Sequence, residues 1–177
     1  MNHTGKIGKA GRAALGVAVL LSSGAALAAD NLVRFEGGIG VIPVSNVGSL
    51  PTGATRNDVR NVPPGGQPWV ISRLSVDVKQ DGRIRAKGEG LLLAGGNGIG
   101  TNGGASVYAT LFCGNLQGVQ HNSATTGVPL EPNGDFRIDD VLSPLPPSVC
   151  TNAVLLIRTA AGNTDNDRWF AAGIPKD

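Results

Sequence analysis

The sequence predicts an all-β chain: a single-domain antiparallel β-sandwich, with a small closed β-barrel as the alternative, made of eight or nine strands and one disulfide. Three observations carry this expectation. Apolar residues alternate with period two in stretch after stretch, as half-buried strands require. Two turns, at Asp81-Gly82 and Asn133-Gly134, each join a pair of such stretches. Beyond the N-terminal leader no segment keeps a helical period.

Residues 1–28 read as a signal peptide that is cleaved on export. Lys6, Lys9 and Arg12 form a basic start, Ala13 to Leu21 an apolar run, and Ala26-Leu27-Ala28 a small-x-small cleavage signal. The run is short for a membrane span, and no later stretch is long enough for a transmembrane helix. Residues 29–177 then form one β domain, periplasmic or extracellular. The leader carries three of the 15 Lys and Arg and none of the 13 Asp and Glu, so the mature chain is slightly acidic. A basic surface for nucleic acid or anionic membrane loses its support.

Taken in order, residues 31–44 read as two short strands joined at Gly37-Gly38, and residues 45–68 as an irregular, Gly- and Pro-rich loop. A loop of that length inside a compact domain is often functional. Trp69 to Leu93 is the central hairpin. A three-residue loop, Gln80-Asp81-Gly82, with Gly82 at positive φ, sets Val78 opposite Ile84, Val76 opposite Ala86, Leu74 opposite Gly88 and Val70 opposite Leu92. On the other face Asp77 meets Arg85 and Arg73 meets Glu89. A two-residue loop would mix core and solvent faces.

The Gly-rich stretch 94–104 contains a formal dinucleotide fingerprint from Gly98 to Gly103. The next segment alternates as a strand, where the fingerprint requires a helix, so a flexible connection is expected. Ser106 to Cys113 is a strand. Val119 to Leu130 and Asp135 to Leu142 read as a second long hairpin about Pro132-Asn133-Gly134, with Val128 opposite Ile138 and Leu130 opposite Phe136. Ser143 to Val149 is proline-rich and extended. Ala153 to Thr159 suits a strand buried on both faces, and Trp169 to Ile174 is the last strand.

Cys113 and Cys150 lack CxxC spacing, and in an oxidising compartment such a pair forms a structural disulfide. No cofactor is expected. Trp69, Ile71, Leu91 and Leu93 project together from one end of the central hairpin's charged face, where either another segment covers them or they form an apolar binding patch. His121 reads as a surface residue. Paired with Ser123, Asp139 or Asp140 it is a candidate for nucleophilic catalysis, and Glu131, Asp135 and Asp139 are candidates for acid–base work on sugars. Asn163, Asp165 and Asp167 space oxygen ligands as a calcium loop does, without the downstream Glu. Trp69, Tyr108 and Trp169 could stack on sugars but read as core.

The segments YATLFCG, GDFRI, the second Cys and LLIR resemble those of a group of small exported bacterial all-β proteins of unknown function, over residues 69–174. The resemblance implies the fold and the disulfide and no activity. The function expected is a non-enzymatic binding or structural role at the cell envelope, with a protein or carbohydrate partner. The alternatives are a small extracytoplasmic enzyme acting on sugars or lipids, and a calcium-binding module.

Overall fold

The computed structural model describes residues 1–2, 30–47, 54–115, 118–160 and 167–176. Most of the expected signal peptide, and Asn163 and Asp165 of the candidate calcium loop, lie outside them. The described residues form thirteen strands and no helix. In chain order they are β1 (Asn31–Gly40), β2 (Val44–Val47), β3 (Ala54–Arg56), β4 (Trp69–Val70), β5 (Arg73–Lys79), β6 (Arg83–Glu89) and β7 (Leu92–Leu93). There follow β8 (Ser106–Phe112), β9 (Gln120–Asn122), β10 (Val128–Pro129), β11 (Phe136–Val141), β12 (Val154–Thr159) and β13 (Trp169–Pro175).

Nine strands make one antiparallel sheet in the order β10-β8-β12-β13-β1-β5-β6-β11, with β9 also on β8. The sheet curls into a half-barrel around a single core that runs from Phe35 and Val76 to Leu111, Leu155 and Ile157. It combines the facing walls of a sandwich with the continuous wall of a barrel. Strands β2 and β3 form a separate ribbon, as do β4 and β7. The disulfide joins Cys113 and Cys150, at the end of β8 and ahead of its neighbour β12.

The central hairpin has the expected register, Val78 opposite Ile84 through Arg73 opposite Glu89, and Gly82 has φ +83°. Of its cross-strand charges Arg73 keeps Glu89, at 3.8 Å, while Arg34 takes Asp77 at 2.7 Å and Arg85 turns to Asp139 at 3.4 Å. Both strands break near their far ends, where Ser72 lies against Gly90, which has φ +66°. A Cβ at residue 90 would come within 2.5 Å of the Ser72 hydroxyl. The break inverts the alternation. Leu74 and Trp69 both face the core, and Val70 is turned out, half exposed.

Three other expectations are corrected. Residues 31–40 are one strand with a bulge between Phe35 and Gly38, because Gly37 takes φ +91° and lets the pairing with β13 resume. The loop 45–68 is not irregular throughout: β2 pairs with β3, and Trp169 donates to Pro63 O and accepts from Gly65 N–H. That segment takes the place beside β13 that β1 leaves when it ends.

The second long hairpin forms only at its turn. Gly134 N–H donates to Glu131 O and Glu131 N–H to Asp135 O. The next such rung would pair residue 129 with residue 137, and residue 129 is Pro, which has no N–H to give. Beyond it Gly127 leaves the strand conformation at φ +67°. Strands β9 and β10 therefore pair with β8, and β11 with β6, leaving the expected Val128–Ile138 ladder unzipped.

Candidate functional site

The unzipped ladder leaves a seam in the barrel wall, between the segment 122–129 and β11. It is pinned at both ends. At one end Asn122 and Ser143 exchange both main-chain hydrogen bonds, at 2.9 and 2.8 Å, and at the other lies the Glu131–Asp135 turn. Close to the Asn122–Ser143 end, Asp140 reaches across: one carboxylate oxygen accepts from Ala124 N–H at 2.7 Å and the other from Val141 N–H at 2.7 Å. Two clefts open along it. The larger, about 400 Å³, is lined by Asn122, Ser123, Thr125, Asp140 and Ser143 among others. The smaller, about 60 Å³, has an apolar floor of Val107, Val128 and Ile138.

The main chain of β11 is read by alternation. Leu142 N–H donates to Gly82 O on the β6 side, so even-numbered residues turn that way and odd-numbered ones face the seam. Asp135 and Ser143 confirm the parity through their seam-side bonds. Between them, no hydrogen bond to the main-chain N–H and C=O of Arg137 and Asp139 is formed among the described residues.

The seam brings together several candidate residues, each already committed to the fold. Ser123 is buried and its Oγ accepts from Ala109 N–H at 3.0 Å. His121 is not on the surface: it is buried, because β9 pairs with β8 and turns its ring inward, and Nδ1–H donates to Pro144 O at 2.8 Å. Asp135 accepts from Gly90 N–H and Asp139 pairs with Arg85. Away from the seam, Asp167 is buried and accepts from the Tyr108 hydroxyl at 2.9 Å. Among the described residues no group of three His, Cys, Asp or Glu side chains is placed to hold a metal ion.

Trp69, Ile71, Leu91 and Leu93 are together, as the alternation requires, but the inverted hairpin end turns them inward. Trp69 and Leu91 are buried and Ile71 and Leu93 half-buried against the core. Trp69 stacks on Phe170 with centroids 4.1 Å apart, and the stretch 94–104 folds over it at Gly103. Four glycines of that stretch have positive φ, and it leads straight into β8, as a connection between strands does.

Sequence reasoning missed a buried polar centre on the second face of β8 and β12. Arg158 is buried beside Tyr108, its guanidinium 5.3 Å from the ring centroid. It donates to Gln120 Oε1 at 2.9 Å and to Asp167 O at 3.2 Å. Burial lowers the Arg158 pKa and raises that of the Tyr108 phenol. The signal was a lone Arg inside the apolar run AVLLIRT. No family model, curated protein or solved structure matches the chain.

Proposed function

We propose that the chain is an exported, non-enzymatic β domain that binds a ligand along the seam and works at the cell envelope. One observation carries the binding part: the larger cleft along the seam is polar, lined by Asn122, Ser123, Thr125, Asp140 and Ser143. The non-enzymatic part is supported by the commitments of Ser123, His121 and Asp140, each of which holds backbone in place. Export is supported by the leader-like N-terminus and by a disulfide suited to an oxidising compartment.

The test is a panel of soluble oligosaccharides and peptides titrated into the isotope-labelled mature domain. Amide shifts confined to residues 122–128 and 136–143 are expected, and they disappear in Thr125→Arg, which fills the larger cleft from an exposed position. Turnover of a sugar or lipid substrate that is lost in Asp140→Asn would overturn the reading in favour of an enzyme.

A further inference from the structure

We infer that the outer face of β5, β6 and β11 holds a binding site for a phosphate group, built by Arg137, Lys87 and Ser75 and separate from the seam. These residues form one row across the sheet: Ser75 lies opposite Lys87, and Lys87 opposite Arg137. The row on one side of it, Asp77-Arg85-Asp139, alternates in charge, and on the other side Arg73 lies opposite Glu89. The middle row has two bases and no acid. Like charges directly opposite each other on a sheet repel, and here Lys87 turns along its own strand to Glu89 at 2.7 Å. Arg137 is left over. Every other Lys and Arg among the described residues has a hydrogen bond or an ion pair, and the Arg137 side chain has neither.

Ser75, Lys87 and Arg137, with Arg85 and Asp77 beside them, line a cleft of about 140 Å³, room for one small anion. The neighbouring carboxylates are taken: Asp77 by Arg34, Asp139 by Arg85, and Glu89 by Lys87 and Arg73. A guanidinium offers paired N–H donors that match two phosphate oxygens, and an ammonium adds a point charge. The Ser75 hydroxyl can donate to a third oxygen. Two cations on one side suit a dianion better than a carboxylate or chloride. The fourth oxygen needs no partner here, so a phosphate monoester fits as the free ion does. The slight acidity of the mature chain as a whole hides this local excess of base.

Inorganic phosphate is titrated into the isotope-labelled mature domain at constant ionic strength, with chloride as the balancing anion. Saturable shifts are expected at the Arg137 Nε–H and at the amides of Ser75 and Lys87, while the seam amides 122–128 stay in place. Arg137→Gln and Lys87→Gln should each weaken binding by about tenfold or more, the weight of a charge-assisted hydrogen bond. Arg83→Gln removes the same charge from the same face outside the cleft and should bind as the parent does. All three positions are exposed, so the fold tolerates the changes. Glycerol phosphate separates the carriers: affinity equal to that of the free ion supports a phosphate group on any carrier, and weaker binding supports the free ion. Shifts that do not saturate, acetate binding as tightly as phosphate, Arg137→Gln binding as the parent does, or an equal loss in Arg83→Gln would overturn the inference. None of these outcomes bears on the seam.

Discussion

Phe136 lies across the β6–β11 pair from Gly88 with its ring packed onto the glycine's Cα, in the space a Cβ would occupy. The aromatic ring covers a rung that has no side chain of its own, and so supplies the core packing that Gly88 does not. Gly88→Ala must push the ring aside. It should destabilise the domain by about 1–3 kcal/mol, as overpacking of a filled core does. Urea unfolding of the two proteins measures this, and an unchanged midpoint would contradict the packing described.

Trp69→Ala removes a buried indole stacked on Phe170 and should cost about 3–5 kcal/mol. Trp69→Phe keeps the stacking partner and should cost much less. If ligand binding at the seam survives in Trp69→Phe at unchanged affinity, the residue serves packing. A fall in affinity with no fall in stability would instead make the hairpin end a binding patch.

Replacing Cys113 and Cys150 together by Ala opens a link between positions 37 residues apart. In the chain-entropy account the loss is about 4 kcal/mol, since the unfolded chain regains its loop freedom. The double variant should therefore unfold at markedly lower urea than the oxidised parent, and adding a thiol reductant should shift the parent and leave the variant where it is.

Tyr108 is the one tyrosine of the chain, so its ionisation can be read without ambiguity. Burial pushes the phenol pKa up first of all, the Arg158 guanidinium pulls it back, and the hydrogen bond to Asp167 raises it again. For a raised pKa the stabilisation is complete below the unfolded value, about 10, and is lost as pH climbs from there toward the folded value. Tyrosinate absorbance should accordingly appear only as the fold is lost in alkali. In denaturant it should titrate near 10, and the same midpoint in the native domain would contradict the burial.

On the acid side, hydrogen bonds from Lys176 to Glu36, from Arg56 to Asp58 and from Lys87 to Glu89 hold these carboxyls below their ordinary pKa values. For depressed values the contribution is present above the unfolded carboxyl range, about 4, and fades as pH falls through the folded ones. Lys176→Gln should return the Glu36 midpoint toward its ordinary value in a carboxyl-detected titration. The effect on melting temperature should be small, since the pair is half exposed.

The register of the central hairpin was legible because two independent signals agree there: the alternation of Val78, Val76 and Leu74, and a glycine placed for a left-handed turn. Its far end was not. Ser72 and Gly90 each look ordinary, and only their coincidence across the pair lets both strands reverse face at one level. The seam was half legible. Pro129 sits where the rung counted from Glu131–Asp135 needs a donor, a signal present in the sequence but hidden by the strength of the turn that follows it. The burial of His121 depends on which neighbour β9 chooses, and nothing local decides that.

Strands β1 and β13 lie side by side, and Lys176 donates to Glu36 across a sequence separation of 140. The earliest strand of the domain thus has one of its two partners in the latest. During synthesis that flank of β1 stays bare until almost the whole chain has emerged. Contacts of such long range also slow folding. A holding chaperone that shields the bare flank would therefore help this domain most, and a circular permutant joining residue 176 to residue 30 should need it least.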